Sequence, residues 1–173
     1  MSGNLTTRLF QALQQQYALP LHGIHGISHW ARVYENGCRI AEKTRVNLKI
    51  VQLFALFHDS KRQNEGADPE HGIRGAKYAA TFHQAALLDL SDQEFDLLYR
   101  ACADHTDGLI EADITVQACW DADRLDLYRV GILPDPALLC TNAAKSPELR
   151  EWANTRAALR MLPDSMRTLW SIA

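Results

Sequence analysis

Residues 48–59 read LKIVQLFALFHD. Ile50, Val51, Leu53, Phe54, Ala55, Leu56 and Phe57 leave Lys49 and Gln52 as the polar members before the end. On a helix these apolar residues cover nearly every face, and such a helix belongs at the centre of a domain. Asn47 stands where an N-cap is expected. The stretch then runs without a break into His58, Asp59, Ser60, Lys61 and Arg62. A buried carboxylate without a partner is costly, so Asp59 demands either cations or a metal.

Helical spacing continues on both sides, with no long alternation of period two. A first amphipathic helix is expected from Leu5 to Tyr17, and Pro20, Gly23 and Gly26 then break the pattern. A second helix runs from Ser28 to Lys43. Asp68 as N-cap with Pro69 in the first helical position predicts a fourth, to Leu88. Ser91 to Glu94, SDQE, reads as a capping box and opens a fifth, to His105. A sixth is expected from Ile114 to Val130, and Ser146-Pro147 opens a last helical region, interrupted at Pro163. The sum is one all-α domain over 1–173, a bundle of six or more helices with a C-terminal helical appendage at about 140–173.

Composition narrows the class. The chain has 173 residues, 47% hydrophobic and 23% charged, with a net charge of −3 and scattered Lys and Arg. That suits an ordinary globular protein, not a basic binder of nucleic-acid polymers. Cys38, Cys102, Cys119 and Cys140 form no C-x-x-C pair and read as reduced residues in apolar surroundings. No leader-like apolar segment opens the chain and no run reaches the length of a membrane span, so the expected compartment is the cytoplasm. Trp30, Trp120, Trp152 and Trp170 read as packing residues.

Polar residues recur on the inward lines of the helices. His29 heads the line Val33, Gly37, Ile40, and His71 heads Gly75, Tyr78, Phe82. Phe95, Leu98 and Cys102 lead to His105. Val116, Cys119, Asp123, Leu127 and Val130 form the buried line of the sixth helix, with Asp121 and Asp126 off it, although Asp126 is close enough to stand behind the site. One inward histidine is an ordinary core residue. Five helices each sending an imidazole or a carboxylate inward suit a divalent metal bound by nitrogen and oxygen: Mn, Fe, Co, Ni, Mg or Zn.

These residues resemble the HD-domain superfamily of metal-dependent phosphohydrolases. The resemblance rests on His29 in HGISHWARV, His58-Asp59 in LFALFHDSKR and Asp123 in CWDADRLDLYRVGI, in the family's order, over about residues 22–131. EHGIRGAKYAA, with His71, and ACADHTDG, with His105, resemble members that carry a second metal. The resemblance implies one metal on His29, His58, Asp59 and Asp123, and a second ion bridged by Asp59 to His71 and His105. It implies a metal-activated hydroxide that attacks a phosphoryl group of a small phosphate ester or nucleotide. Lys61 becomes a candidate phosphate contact, beside the plainer reading of a surface lysine at a helix end. Arg62, Arg74 and Arg124 are weaker contacts, Arg124 being equally suited to pair with a carboxylate. His25 either lines the mouth or caps its loop; His22 reads as a loop residue. His83, about 18 Å of helical rise beyond His71, reads as structural. The same ligand pattern also occurs in HD-fold di-iron oxygenases, and a non-catalytic metal- or ligand-binding domain would share it.

Overall fold

The computed structural model of the chain describes residues 3–172; Met1, Ser2 and Ala173 lie outside the described residues. Among the described residues the chain forms nine α-helices, two short 3-10 turns and no strand. In chain order these are α1 (Gly3–Gln16), α2 (Ile27–Lys43), α3 (Leu48–Phe57), α4 (His71–Gln84), α5 (Asp92–Ala103) and α6 (Ile114–Arg124). The 3-10 turns Leu127–Val130 and Pro136–Leu138 lead to α7 (Asn142–Lys145), α8 (Pro147–Ala158) and α9 (Asp164–Trp170). No helix among the described residues is long and apolar enough to cross a membrane.

The apolar helix is the axis. α3 is buried from Ile50 through Phe57 and packs against α1, α2, α4, α5 and α6. Full burial of each large aliphatic or aromatic side chain contributes about 1.5–3 kcal/mol, and α3 buries six of them: Ile50, Val51, Leu53, Phe54, Leu56 and Phe57. Its start is set by Asn47, whose side-chain oxygen accepts the backbone N–H groups of Lys49 at 3.1 Å and Ile50 at 3.4 Å. Its end is set one residue before His58. The N–H and hydroxyl of Ser60 both donate to the Phe57 carbonyl, at 3.1 and 2.8 Å, and turn the chain. His58 and Asp59 therefore occupy the first turn beyond a helix that is buried from Ile50 onward.

The bounds of three helices differ from expectation. α4 begins at His71 rather than at Pro69, and stops at Gln84. Asp68 is not its cap. Its carboxylate turns back to accept the Gln63 N–H at 2.8 Å and the Arg74 guanidinium at 2.6 Å. α5 carries the capping box of Ser91 and Glu94 but ends at Ala103, leaving His105 in the turn that follows. α6 ends at Arg124, not at Val130. The switch to a 3-10 turn rotates the later residues, so Asp126 is buried while Val130 is 43% exposed.

Close backbone approach sets α4 against the end of α3. A Cβ on Gly75 would collide with the Phe57 carbonyl and lie 2.8 Å from that of His58. A Cβ on Gly72 would lie 2.5 Å from the carbonyl of Cys102, on α5. The two glycines let α4 wedge between the ends of α3 and α5, which delivers His71 to Asp59. Gly75→Ala gains at most about 1 kcal/mol of helix propensity. Overpacking costs about 1–3 kcal/mol, so the clash wins. The urea midpoint of this variant should fall; an equal or higher midpoint would show that α3 and α4 separate freely.

The C-terminal segment packs on α1, α2 and α6. Trp170 is fully buried, stacked on Phe10 with ring centroids 4.6 Å apart and set edge-on to Tyr34 at 5.9 Å. Asp121, expected off the buried line, is fully buried. It accepts the N–H groups of Cys140 and Thr141, both at 2.7 Å, and the Thr141 hydroxyl at 2.8 Å. Burial nevertheless raises its pKa. The expectation failed because the stretch around Thr141 covers a face of α6 that an isolated helical line leaves to water.

Candidate metal centre

The six residues singled out from the sequence converge on one point. On one side, His29 Nε2 and His58 Nε2 are 3.0 Å apart. His29 Nε2 lies 3.4 Å from both Asp59 Oδ2 and Asp123 Oδ1, and His58 Nε2 lies 3.7 and 3.8 Å from the same two oxygens. On the other side, His71 Nε2 and His105 Nε2 are 2.9 Å apart, and lie 3.1 and 3.8 Å from Asp59 Oδ1. Asp59 turns one oxygen to each side: Oδ2 groups with His25 and His29, Oδ1 with His71 and His105, while Asp123 groups with His29 and His58. Donors bound to a single ion at about 2.0–2.2 Å stand roughly 3–3.5 Å from one another, close to these separations.

The tautomers, assigned from the partners, strengthen the case for a cation. His58 Nδ1 faces the Phe54 carbonyl at 3.1 Å, and His71 Nδ1 the Asp68 carbonyl at 2.5 Å. His105 Nδ1 faces the Cys102 carbonyl at 2.7 Å, and His29 Nδ1 faces Asp126 Oδ2 at 2.7 Å. All four partners can only accept, so in the neutral rings each Nδ1 carries the proton. Four Nε2 lone pairs then point inward at carboxylate oxygens and at one another, and of these only that of His71 meets a donor, Arg62 Nη1 at 3.1 Å. Asp59 Oδ1 is buried with no hydrogen-bond donor. Facing lone pairs repel, and a divalent cation is what this set of donors fits. Neutral rings are also what burial favours at His58, whose pKa it pulls down to about 3 against the opposing charges of Asp59 and Asp123.

Behind His29 stands a buried ion pair. Asp126 accepts Arg32 Nε at 2.6 Å and Arg32 Nη2 at 2.9 Å, besides the His29 ring. Burial opposes ionisation of Asp126, but His29 and Arg32 hold its carboxyl below the usual range. Burial likewise opposes ionisation of Asp59, and the imidazoles around it override that and hold it well below the usual range. His25 donates Nδ1–H to Asp59 Oδ2 at 2.9 Å, so it belongs to the site as well as to its loop. The side chains of Asp123 and His25 are 15% and 12% exposed, against 5% or less for the other ligand candidates, and mark the mouth. Arg129 Nη2 lies 3.4 Å from His25 Nδ1 at that mouth.

The remaining candidates divide. Lys61 turns away from the cluster: its ammonium sits 3.8 Å from the centroid of Tyr78, on the wall of a groove shared with Arg74 and Lys77. Arg74 is committed to Asp68, and Arg124 donates to the carbonyls of Leu138 and Leu109, not to a carboxylate. Arg62 reaches the cluster, with Nη1 3.1 Å from His71 Nε2. His83 stacks on Phe95 at 4.3 Å, far from the centre in role as expected. Arg32 and Arg129 were missed by sequence reasoning. Arg32 had a visible signal, a cation one helical turn after an inward histidine. Arg129 had none, since it reaches the mouth only because α6 has ended. The four cysteines are free thiols.

No family model, curated protein or solved structure matches the chain. The chemistry is therefore read from the centre itself. Buried imidazoles and carboxylates with an open side can hold a divalent ion and leave positions on it for water and a ligand. The guanidinium groups of Arg62 and Arg129 make the surroundings favourable to an anion.

Proposed function

We propose that the chain is a metal-dependent phosphohydrolase of HD-domain type, acting on a small phosphate ester or nucleotide in the reducing cytoplasm. The observation that carries this reading is the convergence of four Nε2 lone pairs on a carboxylate whose Oδ1 has no donor. The order His29, His58-Asp59, Asp123 supports it. A divalent ion held there would polarise a phosphoryl oxygen and bring the pKa of water near neutral. The chain supplies the rest. Asp126 orients His29, and Asp59 and Asp123 bring negative charge to the ion. Arg129, held on the carbonyls of Ile24 and Asp126 beside His25, gives the mouth a positive charge that would attract a phosphate ester. Lys61, on the far groove, has no part in this account.

Two donor groups sharing Asp59 also favour a second reading, a di-iron oxygenase. One experiment separates the two. Protein loaded with Mn²⁺ or Co²⁺ is assayed for phosphate release across phosphate esters and nucleotides, before and after chelation. The expected result is hydrolysis that chelation abolishes and metal restores. Absence of release across the panel, with bound iron and oxygen uptake after aerobic purification, would favour the oxygenase.

A further inference from the structure

The two halves of the centre are not equivalent. Arg62 sits against one of them only. It is buried, with 6% of its surface exposed, and its guanidinium is fixed on three sides. Nε donates to the Asn64 carbonyl at 3.3 Å and Nη2 to the Gly66 carbonyl at 2.7 Å. Nη1 donates to His71 Nε2 at 3.1 Å and lies 3.6 Å from Asp59 Oδ1. The lone pair of His71 is thus already used, and a permanent positive charge stands beside the only carboxylate oxygen on that side. The other half has no guanidinium in contact with its donor atoms, although Arg129 lies near enough to act on the charge of Asp123. Arg32 is spent on the Asp126 carboxylate and the Met161 carbonyl, and Arg129 on the carbonyls of Asp126 and Ile24. No guanidinium touches the inward atoms of His29, His58 or Asp123 among the described residues.

We infer that Arg62 makes the centre asymmetric, with one ion retained by His29, His58, Asp59 and Asp123, and the half with His71 and His105 holding a second ion only weakly. This rests on the metal reading above. A dication entering the second half must displace the Arg62 hydrogen bond and approach a fixed cation, and both act against it. Arg62 is in this account a positioning residue that acts on metal content.

The test is metal stoichiometry. Wild type, R62Q, R62K, H71A and H58A are loaded with Mn²⁺, desalted, checked for helicity, and analysed for metal per chain and by Mn²⁺ electron paramagnetic resonance. The expected contents are one ion in wild type with an isolated-ion spectrum, and two in R62Q with an exchange-coupled spectrum. R62K, which keeps the charge, should stay at one. H71A should keep the ion, and H58A should lose it, which tests the asymmetry even where R62Q does not fold. Two ions in wild type, one in R62Q, or loss of the retained ion in H71A would overturn the inference while leaving the metal reading standing. No ion in wild type would overturn both.

Discussion

Asp59→Ala is expected to give a folded protein that retains no divalent metal and has no metal-dependent activity. Among the described residues Asp59 alone has an oxygen toward each half: Oδ2 at 3.4 Å from His29 Nε2, and Oδ1 at 3.1 Å from His71 Nε2. Removing it should lower affinity by more than the roughly 10–100-fold typical of losing a group that only supports a ligand. The metal-free chain should also lose some stability, because Asp59 is the carboxylate beside the buried Arg62 guanidinium, which is left with His71 and the carbonyls of Asn64 and Gly66. Thermal unfolding with and without Mn²⁺ separates these effects. At a metal concentration about 100 times Kd the wild type gains about 2.7 kcal/mol, equivalent to roughly 5–11 °C for a chain of this size. The variant should show no rise. A metal-induced rise equal to that of wild type would remove Asp59 from the centre.

Asp126→Ala should do the opposite, damaging the fold first. Its carboxylate neutralises Arg32, which is 2% exposed and left otherwise with the Met161 carbonyl alone. Breaking a buried pair from one side costs about 3–5 kcal/mol because the remaining charge stays buried. That corresponds to a fall in Tm of about 6–20 °C. His29 also loses the acceptor that keeps its proton on Nδ1, so metal affinity should drop by about 10–100-fold. The pair also predicts a direction in pH. A carboxyl whose folded pKa lies below its unfolded value contributes fully above the unfolded value, and loses that contribution as pH falls through the folded one. Asp126 is such a group, so the gap in Tm between wild type and Asp126→Ala should narrow as pH drops below the ordinary carboxylate range. A gap of only a degree or two at neutral pH would mean that Arg32 finds another partner.

The contrast between these two aspartates explains what was readable in advance. Asp59 follows a helix with no polar face, so its burial and its need for partners could be argued from residues 48–59 alone. Asp126 could be placed only near the site. Its partner Arg32 lies on α2, and the bond between them depends on α6 stopping at Arg124 and the chain tightening into a 3-10 turn. Lys61 shows the converse. Two residues after Asp59 in sequence, it faces Tyr78, because the chain after Phe57 continues as tight turns, the Arg62 N–H on the Asp59 carbonyl at 3.1 Å, which put residues three apart, not two, on one side. Its neighbour Arg62 enters the centre instead.

Helix content and the central place of α3 followed from the sequence by itself, because the period of apolar residues and the caps at Asn47 and Ser91 are local properties. The inward direction of His29, His71 and Asp123 followed too, since a side chain's face on a helix is set by spacing; His105 lies in the turn beyond α5, where spacing alone does not set it. What only the tertiary structure decided is which nitrogen of each ring points inward, which arginine stands beside which half, and that Asp121 anchors the C-terminal segment. Those depend on carbonyls, helix ends and charges brought together from distant parts of the chain. No periodicity encodes them, because a hydrogen bond is chosen by whichever partner the packed backbone leaves within about 3 Å.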